Sequence, residues 1–471
     1  MRVLWRQILV LTLHLLLISG SGTVLAKETL PKAFPSTGYY MTFMRVQSMG
    51  LREWKQIVDC IREDGGNTLL LWMGGAFRSR KFPITWRYNQ EHKNVRKDFV
   101  RALIDYAHRR GVKVLLCLTP FAYDGTNQYP IEHPELKATQ KDDSPAQYWG
   151  MHSWGYNLCP AKPESQRFML EYTRELLFDF YPNADGLMIE SSDYAICYCS
   201  ECRERFFDQE FRFVQAISQE VWKARPEATI LVYPHYFNGR SVPGFGVSGA
   251  KQPFDPRWTL FFTPHSAYLD KELLQKAKTS IYWTEGLTLG NPKSIRQAVL
   301  MAKESGVTGY VPSLEPMSCP SGSPEKPGAR VKPFHFFWLK EGQMPLQELL
   351  MRVNRIAYRE YTRNPSLSES GFQQLLGREI FGAGFSEQSL SDLLFLQETY
   401  NLDASWLIPS PIVDPQPISI ATLSPERRKR YQESLLHLKE IAERYQSSHR
   451  RAEKEMARIA EHIVKGWNSL P

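Results

Sequence analysis

Carboxylates stand at the ends of three apolar segments of this chain. Glu190 ends the run ADGLMIE and Asp193 comes three residues later, Glu285 ends TSIYWTE, and Glu315 follows VTGYVPSL. An unpaired carboxylate is costly to bury, so we expect each group to emerge where its segment reaches solvent. Two carboxylates across one pocket are the minimum equipment for cleaving a glycosidic bond: one protonates the leaving oxygen, and the other attacks carbon or activates water.

These positions suggest a role for each acid. Glu190 is the expected general acid/base, and Glu285 is the expected nucleophile or second carboxylate. Asp193 is expected to orient Glu190 or to act as the general acid in its place. Glu315 is a further candidate acid and is also expected to bind substrate. The alternative is that these acids cap neighbouring helices or pair with basic residues at the rim.

Aromatic and hydrogen-bonding side chains follow the same apolar segments and would line a pocket around the acids. The flat C–H faces of sugar rings stack on aromatic side chains, so such a rim suits a carbohydrate. Two of these residues belong to the loop YWGMHSWGYNLCP, which is too aromatic for disorder. The histidines show no short-spaced ligand motif, which favours hydrogen bonding over metal binding. The predicted substrate-binding residues are Trp72, Arg78, Trp154, Tyr156, Tyr233, His235, His265, Trp283 and Glu315.

Eight apolar segments alternate with helix-like segments over residues 37–362. Segments that are apolar on both faces, such as VKVLLCLTP, are typical of parallel strands covered by helices. The alternation predicts an α/β protein with a (β/α)8 barrel, whose active site lies at the C-terminal ends of the strands. A doubly wound sheet would usually carry a Gly-rich turn after its first strand, and MTFMRVQSMG is not such a turn. The predicted strands are Tyr39–Val46, Asn67–Gly74, Val112–Pro120, Ala184–Glu190, Ala228–Tyr236, Trp258–His265, Thr279–Leu287 and Val307–Pro316.

Helices are predicted between these strands, and residues 363–471 are predicted to form a helical C-terminal extension. Within the extension, Pro425–Trp467 reads as one helical segment with an apolar seam that His449 alone interrupts. Such a seam needs a partner helix, found either on the barrel and the neighbouring C-terminal helices or in a homodimer. The predicted barrel helices are Leu51–Glu63, Val95–Arg110, Glu164–Phe180, Ser200–Ala224, Asp270–Lys278, Pro292–Ser305 and Leu346–Tyr361.

Composition and charge exclude several classes of protein. Hydrophobic residues make up 42% and charged residues 23%, which is typical of a globular chain and argues against disorder. The formal net charge is +8, and much of the local basic character lies in Arg427–Arg430 and around His449, where Glu residues alternate with basic ones. Such mixed charge is typical of a solvated helix face, so we expect no nucleic-acid partner.

The first residues have the pattern of a secretory signal peptide. Arg2 and Arg6 precede an apolar run from Ile8 to Ile18, and small residues lead to Val24-Leu25-Ala26. The run is short for a membrane span, so we expect cleavage after Ala26 and export to the periplasm or the extracellular space. The alternative is an uncleaved N-terminal anchor. We expect no stable membrane span after cleavage.

The run NLCPAKPESQRFMLEYTREL, followed by DGLMIESSDYAICYCSEC, resembles the core of barrel glycoside hydrolases related to DUF4838 proteins, alpha-glucuronidases and glycoside hydrolase family 20. The likeness rests on the LCP-x-x-P turn and on a fourth strand followed by Asp and then Cys-x-Cys-x-x-Cys. It implies carbohydrate-active catalysis at the end of strand four. Family 20 enzymes carry an adjacent Asp-Glu pair there, whereas this chain has Ile189-Glu190, so substrate-assisted cleavage of N-acetylhexosaminides is not predicted.

Four cysteines suggest a clamp beside the acids. Cys197, Cys199 and Cys202 form Cys-x-Cys-x-x-Cys, and Cys159, in the preceding LCP turn, is a candidate fourth member. Four thiolates suit a structural zinc ion, whereas a disulfide from Cys159 is the competing interpretation for an exported protein, and unligated thiols are a third. Either staple, the zinc ion or the disulfide, would fix the loop that carries Glu190, and no organic cofactor is expected.

These observations predict an exported glycoside hydrolase that cleaves a glycan or polysaccharide with two carboxylates. A catalytically inactive carbohydrate-binding barrel is the alternative, in which the aromatic residues hold a glycan and the acids only form hydrogen bonds. A third interpretation is a structural exported protein that acts through its C-terminal helix seam.

Overall fold

Eight parallel strands close into a barrel in which each strand pairs with its neighbours in chain order. The computed structural model describes residues 33–41, 46–122, 125–148, 155–192, 196–239, 241–242, 247–263, 271–284, 287, 290–313, 348–400 and 423–468. Seven predicted strands each contain one observed strand, and the first, predicted from Tyr39, overlaps a strand that begins earlier, at Ser36. The eight parallel strands confirm the (β/α)8 prediction. The strands are β1 (Ser36–Met41), β2 (Thr68–Trp72), β3 (Lys113–Leu118), β4 (Gly186–Ile189), β5 (Thr229–Val232), β6 (Trp258–Phe262), β7 (Thr279–Tyr282) and β8 (Gly309–Tyr310).

The strands form a barrel because they are apolar on both faces. Every residue of β2 and β4 is buried, with one face toward the barrel interior and the other toward the helices. Neighbouring strands approach closely at Gly186, which has φ +153°. A Cβ atom there would lie 1.8 Å from the carbonyl oxygen of Thr229 on β5, so only glycine permits this contact between β4 and β5.

Amphipathic helices cover the outside of the barrel. In the first of them, Trp54, Ile57, Val58 and Ile61 are buried at the spacing of one helix face. The helix Pro163–Arg174 continues into a π-helical segment, Glu175–Phe180. The labelled helices are α1 (Leu51–Glu63), α2 (Val100–Arg109), α3 (Pro163–Arg174), α4 (Phe206–Ala224), α5 (Lys271–Lys276), α6 (Pro292–Glu304), α7 (Leu349–Arg363), α8 (Glu369–Phe381), α9 (Glu387–Tyr400), α10 (Pro425–Tyr445) and α11 (Arg451–Asn468).

Helix α7 joins the start of the barrel to its end. The hydroxyl of Tyr358 accepts a hydrogen bond from the amide of Gly38 on β1 at 2.8 Å and contacts the carbonyl oxygen of Tyr310 on β8 at 3.0 Å. Arg355 forms a buried ion pair with Asp64, with 2.9 Å between Nε and Oδ2. These contacts fix β1 against β8 and close the barrel, after which the chain enters the helical extension.

The C-terminal segment predicted as one helix is instead two, so the prediction of a continuous helix is wrong. Helices α10 and α11 are separated by residues 446–450 and pack against each other. Ser448 accounts for the break, because its hydroxyl accepts from the amide of Arg450 and contacts Glu453. Most of the predicted seam is buried within one chain, including Leu438, Met456 and Ile459. A homodimer through this seam stays a prediction.

None of the helices that the structure describes is long and apolar enough to cross a membrane. The first 32 residues lie outside the described part, so the signal peptide also stays a prediction. The described residues from Ala33 onward belong to one compact unit.

Candidate active site

Glu190 lies directly after β4, at the carboxyl end of the barrel. Its side chain is 7% exposed and accepts two hydrogen bonds from hydroxyl groups. Thr119, which follows β3, donates to Oε2 at 3.2 Å, and Tyr233, which follows β5, donates to Oε1 at 3.1 Å. Parallel strands end at the same edge, so the residues after β3, β4 and β5 meet here. A hydroxyl both donates and accepts, so these two groups are able to stay bonded whichever protonation state Glu190 takes.

An aromatic wall adjoins Glu190. Tyr233 packs edge-on against Phe261 of β6, with ring centroids 5.6 Å apart, and Phe261 is stacked on Trp283 at 6.0 Å. Tyr40 of β1 contacts both Phe261 and Trp283 edge-on, at 5.4 and 5.3 Å. Tyr40 and Phe261 lie in β1 and β6 and are fully buried, whereas Tyr233 and Trp283 directly follow β5 and β7. Trp283 is only partly buried, so it is the ring of this wall on which a sugar ring would stack.

Two polar atoms at this end of the barrel have no hydrogen-bond partner among the described residues. They are the indole Nε1 of Trp283 and the hydroxyl of Ser313, both shielded from solvent. Ser313 lies beside Tyr40, with which it forms a β-bridge. Buried donors without partners are costly, so each of these two atoms needs a partner such as a buried water molecule.

A second layer of polar residues supports the turn after Glu190. Glu210 of α4 is fully buried, and it accepts hydrogen bonds from the backbone amide of Ser192 at 3.2 Å, from the Ser192 hydroxyl, and from the hydroxyl of Tyr236 at 2.8 Å. Burial raises the pKa of Glu210 to about 7, even though these hydrogen bonds lower it. Glu210 therefore ties α4 to the turn that carries the candidate acid.

Sequence reasoning did not single out Glu210. It lies in the first half of a helix with the charged pattern of an exposed face, RERFFDQEFRF, and only the flanking aromatic residues hinted at burial. Sequence reasoning also missed Thr119, a lone hydroxyl in LTP at the end of β3. Both residues are recognised as part of the site only by what they contact.

His235 and Tyr233 occupy the expected place after β5. His235 is 5% exposed and stacked between Phe207 and Tyr233, with ring centroids at 5.2 and 5.8 Å. Its Nδ1 is hydrogen-bonded to the hydroxyl of Ser191, next to Glu190. Burial lowers the pKa of His235 to about 3, so the imidazole is neutral near pH 7. The ring therefore supports the wall and the turn by packing and hydrogen bonding.

The other described candidates lie at the C-terminal ends of strands or in the connections that follow them. Trp72 is the last residue of β2 and is buried. Trp283 belongs to the aromatic wall. Arg78 is exposed and lies over the ring of Trp86 at 5.3 Å, with a hydrogen bond to the carbonyl oxygen of Arg96, both within the connection after β2. Tyr156 is in a short hairpin after β3, and the ammonium of Lys137 lies 3.6 Å from its ring centroid.

Several predicted residues lie outside the described part of the chain. Among the acids these are Asp193, Glu285 and Glu315, and among the rim residues Trp154 and His265. The described part of the chain therefore contains Glu190 but none of the other three predicted acids. The roles predicted for these five residues stay predictions.

The four cysteines of the predicted clamp meet in one cluster. The sulfur atoms of Cys159, Cys197, Cys199 and Cys202 all lie within 4.8 Å of one another. Sγ of Cys159 is 3.7 Å from that of Cys199 and 3.8 Å from that of Cys202. No disulfide joins them, since a disulfide bond is only about 2.05 Å long. The cluster connects the segment before α3 with the segment after β4, which carries Glu190.

Known proteins share this fold without a match in sequence. No protein-family model matches the chain, and no curated protein matches it. An enzyme of glycoside hydrolase family 138, which targets pectin rhamnogalacturonan II, aligns with a TM-score of 0.54 and 10% identity over 93% of this chain. A beta-N-acetylhexosaminidase from Bacteroides fragilis has a TM-score of 0.49 and 12% identity, covering 75% of this chain and 72% of its own.

The chain spans 58% of the length of the family 138 enzyme. At 10% identity this likeness shows the fold alone, and in fold the chain resembles the barrel glycoside hydrolases, as the sequence predicts. The specific likeness to DUF4838 proteins stays a prediction. The site places one buried carboxylate between two hydroxyls and beside an aromatic wall, an arrangement that is able to move a proton.

Proposed function

We propose that this protein is a glycoside hydrolase that acts at the carboxyl end of its barrel. The observation that carries the proposal is Glu190, which lies at the end of β4 between the hydroxyls of Thr119 and Tyr233 and beside the aromatic wall. A carboxylate positioned by two side chains that accommodate both of its protonation states suits a general acid/base. The fold shared with barrel glycoside hydrolases agrees with this role.

In the proposed reaction, a sugar ring stacks on Trp283, which the buried rings of Tyr40 and Phe261 hold in place. Glu190 gives its proton to the glycosidic oxygen as the bond to the anomeric carbon breaks. Glu285 is proposed from the sequence as the second carboxylate, which attacks that carbon or activates a water molecule. In the first case Glu190, now a carboxylate, takes a proton from a water molecule, which breaks the bond between the sugar and Glu285 and supplies the new hydroxyl group. In the second case the water loses its proton to Glu285 and supplies the new hydroxyl group directly.

The test is hydrolysis of a panel of aryl glycosides and plant and bacterial glycans, including fragments of rhamnogalacturonan II, by purified full-length protein. Glu190→Gln keeps the shape of the side chain but removes the titrating proton, so we expect turnover to fall at least about 100-fold, in the range typical of general acid catalysis. Glu285→Gln should cause a similar loss. Glu164→Gln, at the exposed start of α3, is the matched control and should keep wild-type turnover.

The outcome discriminates between the proposed enzyme and an inactive binding barrel. If wild-type protein hydrolyses a substrate and both Glu190→Gln and Glu285→Gln remain active, the two-carboxylate mechanism is wrong. If the wild type binds saccharides of the panel but hydrolyses none, and Trp283→Ala abolishes that binding, the protein is a carbohydrate-binding barrel.

We also propose that the protein is exported. The proposal rests on the N-terminal pattern of Arg2 and Arg6 before an apolar run that ends at Ala26. N-terminal sequencing of protein secreted from a bacterial host should find a chain that begins at Lys27. Recovery of the intact N-terminus, with the chain held in the membrane fraction, would instead show an anchor.

A further inference from the structure

We propose that Cys159, Cys197, Cys199 and Cys202 bind one zinc ion, as a closed structural site beside the candidate active site. The first argument is distance. Zinc holds thiolate sulfur at about 2.3 Å, and the corners of a regular tetrahedron of that radius are about 3.8 Å apart. The sulfur of Cys159 lies 3.7 Å from that of Cys199 and 3.8 Å from that of Cys202, and all four sulfurs lie within 4.8 Å of one another.

The second argument is burial. Cys197 and Cys202 are fully buried, Cys159 is 1% exposed, and Cys199 is partly buried. Four thiols that converge on one shielded point have no sulfur bonds among them at these distances, which are well beyond a disulfide bond of about 2.05 Å. A tetrahedral set of four sulfur ligands is typical of zinc or of iron, and a site with no place for water is typical of structural zinc.

The third argument is the local backbone. The sequence Cys-x-Cys-x-x-Cys folds into a tight turn in which the carbonyl of Cys199 accepts hydrogen bonds from the amides of Cys202 and Arg203, at 3.0 and 2.9 Å. The amide of Thr139 points at the sulfur of Cys197, with 3.4 Å between N and Sγ. Amide donors to coordinated sulfur are the usual outer layer of a metal–thiolate site, because they offset its negative charge.

The position of the cluster suggests its purpose. Cys159 precedes α3, and its own amide is bonded to the carbonyl of Leu136 in the connection after β3. The other three ligands lie in the connection between β4 and α4, after Glu190. A zinc ion would therefore join the connections that follow β3 and β4, and would hold the turn of Glu190 at the barrel mouth. The purpose is mechanical, so the proposal does not depend on hydrolase activity.

Metal analysis of the purified full chain tests the site. We expect about one zinc per chain after dialysis, and X-ray absorption at the zinc edge should show four sulfur neighbours at about 2.3 Å. Cys202→Ser should lower the zinc content at least about tenfold, while Cys60→Ser, a buried cysteine outside the cluster, should keep it. Iron at about one per chain, or zinc with nitrogen or oxygen neighbours only, would overturn the assignment.

A measurement on wild-type protein keeps the test valid if Cys202→Ser does not fold. The native chain is treated with a mercurial reagent that blocks thiols, and the released metal is followed with a zinc-sensitive dye. We expect zinc release to follow the blocking of four thiols. The mass of the denatured, unreduced chain should show all of these thiols as free S–H groups. A wild-type chain that contains no metal, or whose mass shows disulfides among these four residues, would refute the proposal.

Discussion

The buried carboxyl of Glu210 gives the sharpest test of the structure, because it makes stability depend on pH in a defined direction. Glu210 is 0% exposed, and its only described side-chain partners are the amide and hydroxyl of Ser192 and the hydroxyl of Tyr236. All of them donate hydrogen bonds to it, yet burial outweighs them and raises the pKa from 4.5 to about 7. The variant Glu210→Gln keeps the size of the side chain and removes its titration.

The size of the effect follows from the two pKa values. In the unfolded chain Glu210 loses its proton near pH 4.5, whereas in the folded chain it keeps the proton to about pH 7. Between these values the folded state binds more protons, so the free energy of unfolding falls as pH rises through this window. One pKa unit corresponds to about 1.36 kcal/mol, so wild-type protein loses up to about 3 kcal/mol relative to the variant between about pH 5 and pH 8.

Urea unfolding at several values from about pH 5 to about pH 8 measures this difference. We expect the free energy of unfolding of Glu210→Gln to rise relative to that of the wild type as pH rises. Glu164→Gln removes an exposed charge, and its free energy of unfolding relative to the wild type should change by less than about 0.5 kcal/mol over the same pH range. Tyr236→Phe removes a donor that lowers the pKa of Glu210, so it should move the window to higher pH. If the free energy of unfolding of Glu210→Gln relative to the wild type stays constant or falls as pH rises, the hydrogen bonds outweigh burial in setting the pKa of Glu210.

Other parts of the structure give further predictions. Tyr233→Phe removes a hydrogen bond to Glu190, so kcat/KM on any substrate found should fall about tenfold with unchanged circular dichroism; unchanged kcat/KM would refute the contact. Arg355→Met leaves Asp64 buried without its partner and should cost about 3–5 kcal/mol in urea unfolding, partly recovered by adding Asp64→Asn; a loss below about 1 kcal/mol would contradict the buried pair. Met456→Ala, at a fully buried position of α11, should cost about 2–5 kcal/mol if α10 and α11 pack as described, and a negligible cost would mean that they do not.

The barrel was predictable because its signal is local. Strands such as TLLLW and KVLLCL are apolar at every position after the first, and helices such as Leu51–Glu63 show their buried face in the spacing of Trp54, Ile57 and Ile61. The two-sided strands imply a sheet covered by helices, and eight of them imply closure. Helix ends were less predictable: the helix expected from Ser200 begins at Phe206, because the turns around Cys202 occupy the residues before it.

The break in the C-terminal helix had no strong local signal. Residues 446–450 contain neither glycine nor proline, and the seam runs past His449 with the same apolar spacing on either side. The side chain of Ser448 forms hydrogen bonds at the start of α11, with the amide of Arg450 and the carboxylate of Glu453. The break is favourable because α10 and α11 bury their seams against each other. A partner helix was expected, but its place within the same segment depends on tertiary packing.

Strand periodicity and short ligand spacings are local, so the sequence was enough to predict the barrel, the position of Glu190 at its carboxyl end and the grouping of the four cysteines. The contacts of Thr119 and Tyr233 with Glu190, the support that Glu210 gives its turn from α4, and the convergence of the four sulfurs became visible in the folded chain. Hydrogen bonds and metal ligation act over about 3 Å, and residues far apart in the chain reach that distance only after the strands close.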